Sequence, residues 1–208
     1  MESILKQKFS QEYEWYGILF RLQLAKENEK NFSLGQIKKG ARSSEFEIAI
    51  QWLLDCGLVY KVNRVNEPHM PLKAYKNMNA YKLFVLDVGL LGAMSELPAE
   101  SILEGNDIFV EFKGALTEQY VLQQLISDTP YTPYYYGNEK ATFEQDFLIQ
   151  KAKSIVPIEV KAEQNIRSHS LKTYCEKFQP EEAVRFSTLK YKEQERMVNI
   201  PLYAVCNL

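Results

Sequence analysis

The sequence predicts an α/β fold with a largely helical N-terminal domain, residues 1–95, and a C-terminal domain, residues 96–208, built on a central mixed sheet. Residues 116–125 place apolar side chains at steps of three, four and seven, which is the periodicity of an amphipathic helix. Residues 143–149 and 155–162 are short apolar runs with alternating polar positions, which are typical of strands. The helix and the two strands together indicate the core of the C-terminal domain.

The N-terminal domain has the element order of a winged helix, which is three helices followed by a hairpin. Helical spacing of apolar residues and the capping box of Ser44 and Glu47 predict the helices, and alternation predicts the hairpin. The predicted elements are a helix within 1–33, a short helix or turn at 32–37, a helix at 45–56, and strands 58–65 and 72–77. In a winged helix the third helix can enter a major groove while the hairpin touches the DNA backbone.

Five basic residues of the N-terminal domain are our candidates for binding nucleic acid: Lys38, Lys39, Arg42, Arg64 and Lys73. Residues 1–95 carry 13 Lys and Arg against 10 Asp and Glu, whereas the rest of the chain carries 12 against 17. The net charge of −2 gives no global basic field, so any phosphate contact has to come from this local excess. Winged helices also bind proteins, and a protein-docking surface stays open as an alternative.

Further elements follow from the same rules. A strand from Tyr81 is predicted to run into a short helix capped by Asp87. The other expected elements are a strand over 131–137, a helix over 170–178, and strands over 183–188 and 198–205. The tyrosines of the 131–137 strand could stack on bases of a single strand, although packing in a half-buried strand is the plainer explanation.

Four charged residues lie within apolar segments of the C-terminal domain. Glu118 falls on the apolar face of its helix, Asp146 lies in the first strand, and Glu159 and Lys161 share one face of the second. Strict alternation places Glu144 and Leu148 on the face of Asp146. An ionised group in a dry interior is costly unless it is paired or binds a metal, so this placement needs an explanation.

A divalent cation is one explanation. Carboxylate oxygens suit Mg²⁺, which keeps several waters and takes one or two carboxylates. We therefore expect Asp146, Glu159 and Glu118 to hold Mg²⁺ or Mn²⁺, with Lys161 beside the ion. Taken singly, each residue has a plainer explanation as a solvated acid or as a surface ion pair that contributes less than about 1 kcal/mol.

An acid on a helix, an Asp on one strand and E-x-K on the next resemble the active-site pattern of the PD-(D/E)xK nucleases. The resemblance implies a restriction-endonuclease-like fold and metal-dependent hydrolysis of DNA. It implies that Asp146 and Glu159 hold the metal and that Glu118 completes its shell. It also implies that Lys161 orients the attacking water, so that all four residues are catalytic.

A larger part of the chain resembles the C-terminal half of a family of prokaryotic AAA-type ATPases, in which a winged helix and a nuclease-like domain follow a P-loop ATPase domain. The resembling runs are residues 36–42, 49–60, 71–75, 86–91, 114–121 and 157–161. The resemblance implies DNA and an ATPase as partners. The phosphate loop G-x-x-x-x-G-K-[ST] is absent, so we expect no ATPase domain and no ATP hydrolysis within these residues. A catalytically silent module that binds DNA or docks a protein is the alternative.

The cysteines and the apolar runs bear on the compartment. Cys56, Cys175 and Cys206 are odd in number and scattered, which predicts free thiols in a reducing environment. The N-terminus is too polar for a signal peptide, and the longest apolar run is too short to span a membrane. We expect a cytoplasmic protein.

Overall fold

The computed structural model describes residues 50–95, 107–137, 143–162 and 169–208, and their side chains except those of 107–112. Its helices and strands are α1 at 50–55, β1 Val59–Val65, β2 Lys76–Val85, α2 Val88–Met94, α3 Asp107–Asp128, β3 Tyr134–Gly137, β4 Glu144–Lys151, β5 Ser154–Lys161, α4 His169–Phe178, β6 Ala183–Ser187, β7 Lys192–Gln194 and β8 Met197–Pro201. Short 3₁₀ helices cover Leu72–Tyr75 and Leu202–Asn207. The helices predicted within residues 1–33 and 32–37, and the capping box, lie outside the described residues.

The eight strands form one mixed sheet in the order β2-β1-β3-β4-β5-β6-β8-β7. The pairs β1/β3, β5/β6 and β6/β8 are parallel, whereas β3/β4, β4/β5 and β7/β8 are antiparallel. The predicted α/β class and mixed sheet are therefore confirmed. The winged helix is not confirmed, because β1 belongs to this sheet and only residues 76–77 of the second predicted wing strand lie in a strand, β2. The restriction-endonuclease-like topology and the division after residue 95 stay predictions.

The described residues divide into two compact units, each with its own apolar core. The first comprises 50–61, 83–95 and 107–110, and the second comprises 62–82, 111–137, 143–162 and 169–208. In the first unit Leu53 and Val59 are buried against Leu54, Leu58, Leu83 and Met94. In the second unit one cluster of buried side chains consists of Val65, Leu72, Tyr134, Tyr136, Phe143, Leu148 and Tyr174. The second unit contains all four predicted catalytic residues.

Helix α2 begins as the sequence predicts. The side chain of Asp87 accepts a hydrogen bond of 2.7 Å from the N–H of Leu90, one of the N–H groups that the first turn of a helix leaves unpaired. Gly92, further along α2, has no atom within 4 Å of the position that a Cβ would occupy.

Alanine substitutions at Asp87 and Gly92 are expected to change the free energy of unfolding in opposite directions. Asp87→Ala removes the cap and should lower the free energy of unfolding by about 1 kcal/mol. Gly92→Ala should raise it by about 0.5–1 kcal/mol, because alanine is the better helix former and the added methyl group meets no obstacle. Melting temperatures measured by calorimetry check both signs. A neutral Asp87→Ala exchange would contradict the cap.

Strands β3 and β4 pair with a register shift. Tyr134 and Tyr136 of β3 pair with Leu148 and Gln145 of β4, so two steps on β3 correspond to three steps on β4. An extra residue in one strand breaks the alternation of side chains between sheet faces. The prediction that Asp146 and Leu148 share a face assumed strict alternation, and the shift removes its basis.

Three predicted boundaries are wrong. Helix α3 begins at Asp107 and contains Gly114, because a helix of 22 residues can absorb the cost of about 1 kcal/mol that one interior glycine carries. The strand that returns from β1 begins at Lys76, since a 3₁₀ helix occupies Leu72–Tyr75. Strand β8 stops at Pro201, which has no N–H to donate to a ladder, and the short strand β7 was missed.

The state of the cysteines agrees with the sequence prediction. Cys56, Cys175 and Cys206 are free thiols, as expected. Every helix among the described residues is too short or too polar to cross a lipid bilayer.

Candidate functional site

Asp146 and Glu159 lie where two antiparallel strands stop pairing. The ladder of β4 and β5 runs from Lys151 and Ser154 to its last pair, Phe147 and Ile158, and the next residue along each strand is an acid. The carboxylate of Asp146 accepts a hydrogen bond of 2.7 Å from the N–H of Val160. A side chain therefore takes over from the backbone at the end of the ladder, and it holds Asp146 against β5.

Glu159 is buried, with 4% of its side chain exposed, and both of its carboxylate oxygens have partners. Oε1 lies 2.8 Å from the Nζ of Lys161, and Oε2 accepts a hydrogen bond of 3.3 Å from the amide of Gln145. Lys161 is 31% exposed, so its ammonium reaches both the buried carboxylate and solvent. The predicted same-face pair of Glu159 and Lys161 is confirmed by this contact.

Glu118 is held by a lysine that the sequence analysis did not single out. The Nζ of Lys82, on β2, lies 3.0 Å from Oε1 of Glu118 and forms a second ion pair with Glu144. It also lies 5.1 Å from the ring centre of Tyr135. Only 5% of the Lys82 side chain is exposed. One buried ammonium therefore connects helix α3 with strand β4.

Sequence alternation held a signal for Lys82. In the predicted strand from Tyr81, residues 82 and 84 share a face, and Phe84 marks that face as apolar. Both side chains are buried in the structure. A lysine at a buried position needs acidic partners, and Glu118 and Glu144 were the available candidates.

The carboxylates are close enough to influence each other's ionisation. Burial, then the charges of Glu159 and Glu118, raise the pKa of Asp146 well above its usual range. The ammonium of Lys82 and the N–H of Val160 act in the opposite direction without reversing the shift. Asp146 is therefore an acid whose ionised form is disfavoured in this protein, which is the environment a bound cation relieves.

For Lys82, neighbouring charges have a larger effect on the pKa than burial has. Burial acts to lower its pKa, but the negative charges of Glu118, Glu144 and Asp146 outweigh burial and raise the pKa above its ordinary value. Lys82 is therefore a permanent cation among three acids.

The oxygen atoms of Asp146, Glu159 and Gln145 are of the kind that hard divalent cations prefer as ligands. Asp146 and Glu159 offer carboxylate oxygens from adjacent strands, and one or two carboxylates are the usual protein share of a Mg²⁺ shell. The neighbouring Gln145 is fully buried, and within the described ranges its Oε1 has no hydrogen-bond partner. A buried amide oxygen without a partner is unusual and is itself a metal-type donor.

The acids do not form a closed cage. Across the described residues, no three His, Cys, Asp or Glu side chains are grouped so that they could hold one ion. Glu118 pairs with Lys82, so its predicted place in the metal shell stays a prediction. Asp146 and Glu159 are the pair that fits.

A buried arginine lies beside Glu159 on the neighbouring strand. Arg185 on β6 is its registered neighbour in the parallel β5/β6 pair and is 6% exposed. Its Nη2 donates to the sulfur of Met197 at 3.0 Å, and its Nε has no hydrogen-bond partner among the residues described. Burial lowers the pKa of Arg185, and the charge of Glu159 opposes that effect. Sequence reasoning missed this residue because the register between strands is not visible in the sequence.

The predicted nucleic-acid contacts are only partly visible. Lys38, Lys39 and Arg42 lie outside the described residues. Lys73 is exposed in its 3₁₀ helix, whereas the Nε of Arg64 is buried without a hydrogen-bond partner in the described part of the chain. Their contact with DNA stays a prediction.

The tyrosines of β3 do not form a stacking surface. Tyr134, Tyr135 and Tyr136 are all buried. Tyr136 packs edge-on against Tyr174 and Phe178 of α4. Their role is packing, and the suggested stacking on bases is wrong.

Two family profiles match the chain. The family described as Domain of unknown function (DUF4143) matches residues 113–205, and the family described as Domain of unknown function (DUF8612) matches residues 19–101. DUF4143 domains commonly occur C-terminal to AAA ATPases in prokaryotes. No curated protein and no solved structure matches the chain. The segment with Glu118, Asp146, Glu159 and Lys161 therefore lies in the part of the chain that is similar to DUF4143, within an α/β fold.

Proposed function

We propose that Asp146, Glu159 and Lys161 are the centre of a metal-dependent phosphodiesterase of the nuclease type, acting on DNA. The observation that carries this proposal is the meeting of Asp146 and Glu159 at the end of the β4/β5 ladder, with the Lys161 ammonium 2.8 Å from Glu159. Two acids and a lysine in this arrangement suit hydrolysis of a charged ester, since the acids attract a cation and the lysine offers positive charge to a phosphate.

Asp146 and Glu159 would hold Mg²⁺ or Mn²⁺, with the amide oxygen of Gln145 as a further donor nearby. A divalent ion at this place supplies charge neutralisation at the phosphate and easier deprotonation of the attacking water. Asp146 is positioned for this by Val160, and Glu159 by Lys161 and Gln145. Both carboxylates are thus oriented before any ion arrives, which lowers the cost of ordering them.

Lys161 acts directly on the substrate in this proposal. Its ammonium is partly exposed and is tied to the protein by one ion pair, so it can donate to a phosphate oxygen or to the attacking water while still contacting Glu159. Removing one group that stabilises negative charge in a transition state typically lowers the reaction rate by about 10²–10³-fold.

The proposed setting is the C-terminal part of an AAA-type ATPase in the cytoplasm. The usual position of DUF4143 domains supports it. Lys38, Lys39, Arg42, Arg64 and Lys73 are the proposed DNA contacts, and their contribution would fall as the salt concentration rises.

Mn²⁺ titration with a cleavage assay tests the proposal. The wild-type chain should bind Mn²⁺ in a calorimeter and nick supercoiled plasmid only when the ion is present. Asp146→Asn should lose both properties, because it removes a negative charge while preserving shape. Asp128→Asn, at an exposed acid near the end of α3, is the matched control and should retain both. Equal Mn²⁺ binding by the wild type and Asp146→Asn would overturn the assignment.

The second candidate is a silent nuclease-like module that binds DNA or docks a protein of the ATPase. The favouring observation is that Glu118, Asp146 and Glu159 all have protein partners. In that case the calorimeter records no Mn²⁺ binding, and the chain still retains duplex DNA or an ATPase partner in a binding assay.

A further inference from the structure

Lys82 is a buried cation whose charge interacts with Asp146 of the proposed site. Its ammonium forms ion pairs with Glu118 and Glu144 and lies against the ring of Tyr135. Removing an ammonium from water is costly unless its partners compensate. The position therefore points to a requirement for positive charge at this spot.

The acids of the cluster outnumber their buried cation. Glu118 and Glu144 contact Lys82 directly, and Asp146 lies near enough for its charge to act on the ammonium. Three carboxylates brought together in a partly buried place repel one another. The ammonium of Lys82 offsets part of this repulsion.

We propose that Lys82 is a built-in counter-ion, which keeps the acidic cluster together in the metal-free chain and weakens the hold of Asp146 and Glu159 on a divalent ion. This inference rests on the proposed metal site. It assigns Lys82 a positioning role, because its contacts are with Glu118, Glu144 and Tyr135 and none of them is substrate.

The physical basis is repulsion between two cations. The charge of Asp146 already acts on the Lys82 ammonium, so a divalent ion bound at Asp146 would be repelled by the same ammonium, and such repulsion is stronger inside a protein than in water. Lys82 cannot easily leave, since its side chain is buried and anchored on a strand of the sheet. The ammonium therefore acts as a fixed charge that any incoming ion meets.

The test compares Lys82→Met with the wild type by calorimetric Mn²⁺ titration and by melting in chelator and in Mn²⁺. Loss of the ammonium should tighten Mn²⁺ binding on the order of tenfold or more. It should also lower the melting temperature in chelator and enlarge the rise that Mn²⁺ produces. Lys151→Met is the matched control, because Lys151 also lies in the sheet and pairs with an acid, Glu182, at 3.4 Å. It should leave Mn²⁺ affinity unchanged.

A second variant covers the case in which Lys82→Met does not fold. Lys82→Met combined with Glu118→Gln removes one charge of each sign, and it should recover most of the lost melting temperature. Failure of the double variant to recover it would overturn the counter-ion role.

The possible outcomes separate the two proposals. Wild-type binding of Mn²⁺ with unchanged affinity in Lys82→Met overturns the counter-ion role and leaves the metal site standing. No Mn²⁺ binding by the wild type or Lys82→Met overturns the metal site, and with it this inference. Tighter binding in Lys82→Met but not in Lys151→Met supports both.

Discussion

Lys161→Met is expected to reduce Mn²⁺-dependent nicking of plasmid DNA by about 10²-fold or more while the protein remains folded. The substitution keeps most of the aliphatic stem and removes the ammonium. Lys161 contacts Glu159 and is partly exposed, so its ammonium can reach a phosphate bound beside Glu159.

The fold should survive because Glu159 keeps two other stabilising neighbours. Gln145 still donates to its carboxylate, and Arg185, its registered neighbour on β6, interacts favourably with its charge. Nicking rates at saturating Mn²⁺ are the measurement, with circular dichroism as the check of folding. Lys172→Met on α4 is the control, since that lysine is exposed and forms an ion pair with Glu176 at 3.8 Å. Undiminished nicking by the folded Lys161→Met protein would remove Lys161 from the chemistry.

Asp146→Asn is expected to reverse its stability ranking with the wild type when Mn²⁺ is added. In chelator at pH 7 the variant should melt about 2–4 °C higher, which corresponds to about 1 kcal/mol in a chain of this size. The reason is that the folded protein disfavours the ionised form of Asp146, and asparagine still accepts the Val160 hydrogen bond without a charge.

The pH dependence follows from the direction of the shift. The pKa of Asp146 is higher in the folded state than in the unfolded chain, so the group contributes its stability below the unfolded pKa of about 3.9 and loses it as the pH rises through the folded pKa. The advantage of Asp146→Asn should therefore be small near pH 4 and grow toward pH 7. An advantage that shrinks over this range would contradict the raised pKa.

Binding of Mn²⁺ should make the wild type more stable than Asp146→Asn. An ion that binds only the folded wild type stabilises it by about 2.7 kcal/mol at one hundred times its Kd, whereas a variant that cannot bind gains nothing. Melting curves of both proteins in chelator and in Mn²⁺ measure the difference. Equal gains in melting temperature would show that Asp146 does not hold the ion.

The sequence was most informative where strong local patterns coincide with function. β4, β5 and the helix with Glu118 were all predicted, because apolar runs and helical spacing leave few alternatives there. The pairing of Glu159 with Lys161 followed from alternation along β5, a strand whose pairing with β6 keeps a constant register. Alternation within one regular strand needs no knowledge of its neighbours.

The missed features depend on contacts between distant segments. Lys82 and Glu118 are 36 positions apart, and their ion pair is decided by how a strand and a helix come together. Arg185 is brought beside Glu159 by the β5/β6 register. The shifted register between β3 and β4 removes the basis for placing Asp146 and Leu148 on one face by alternation. Local periodicity contains none of this information, so these residues could be named only from the structure.

The hydrogen bond from Val160 to Asp146 gives the site a spectroscopic reporter. The amide proton of Val160 points at a carboxylate, so its chemical shift and its exchange with deuterium depend on the charge and position of that carboxylate. This proton belongs to the main chain, so it is still present when Asp146 is substituted. Nuclear magnetic resonance of this single amide would follow protonation or cation binding at the acid without any substrate present.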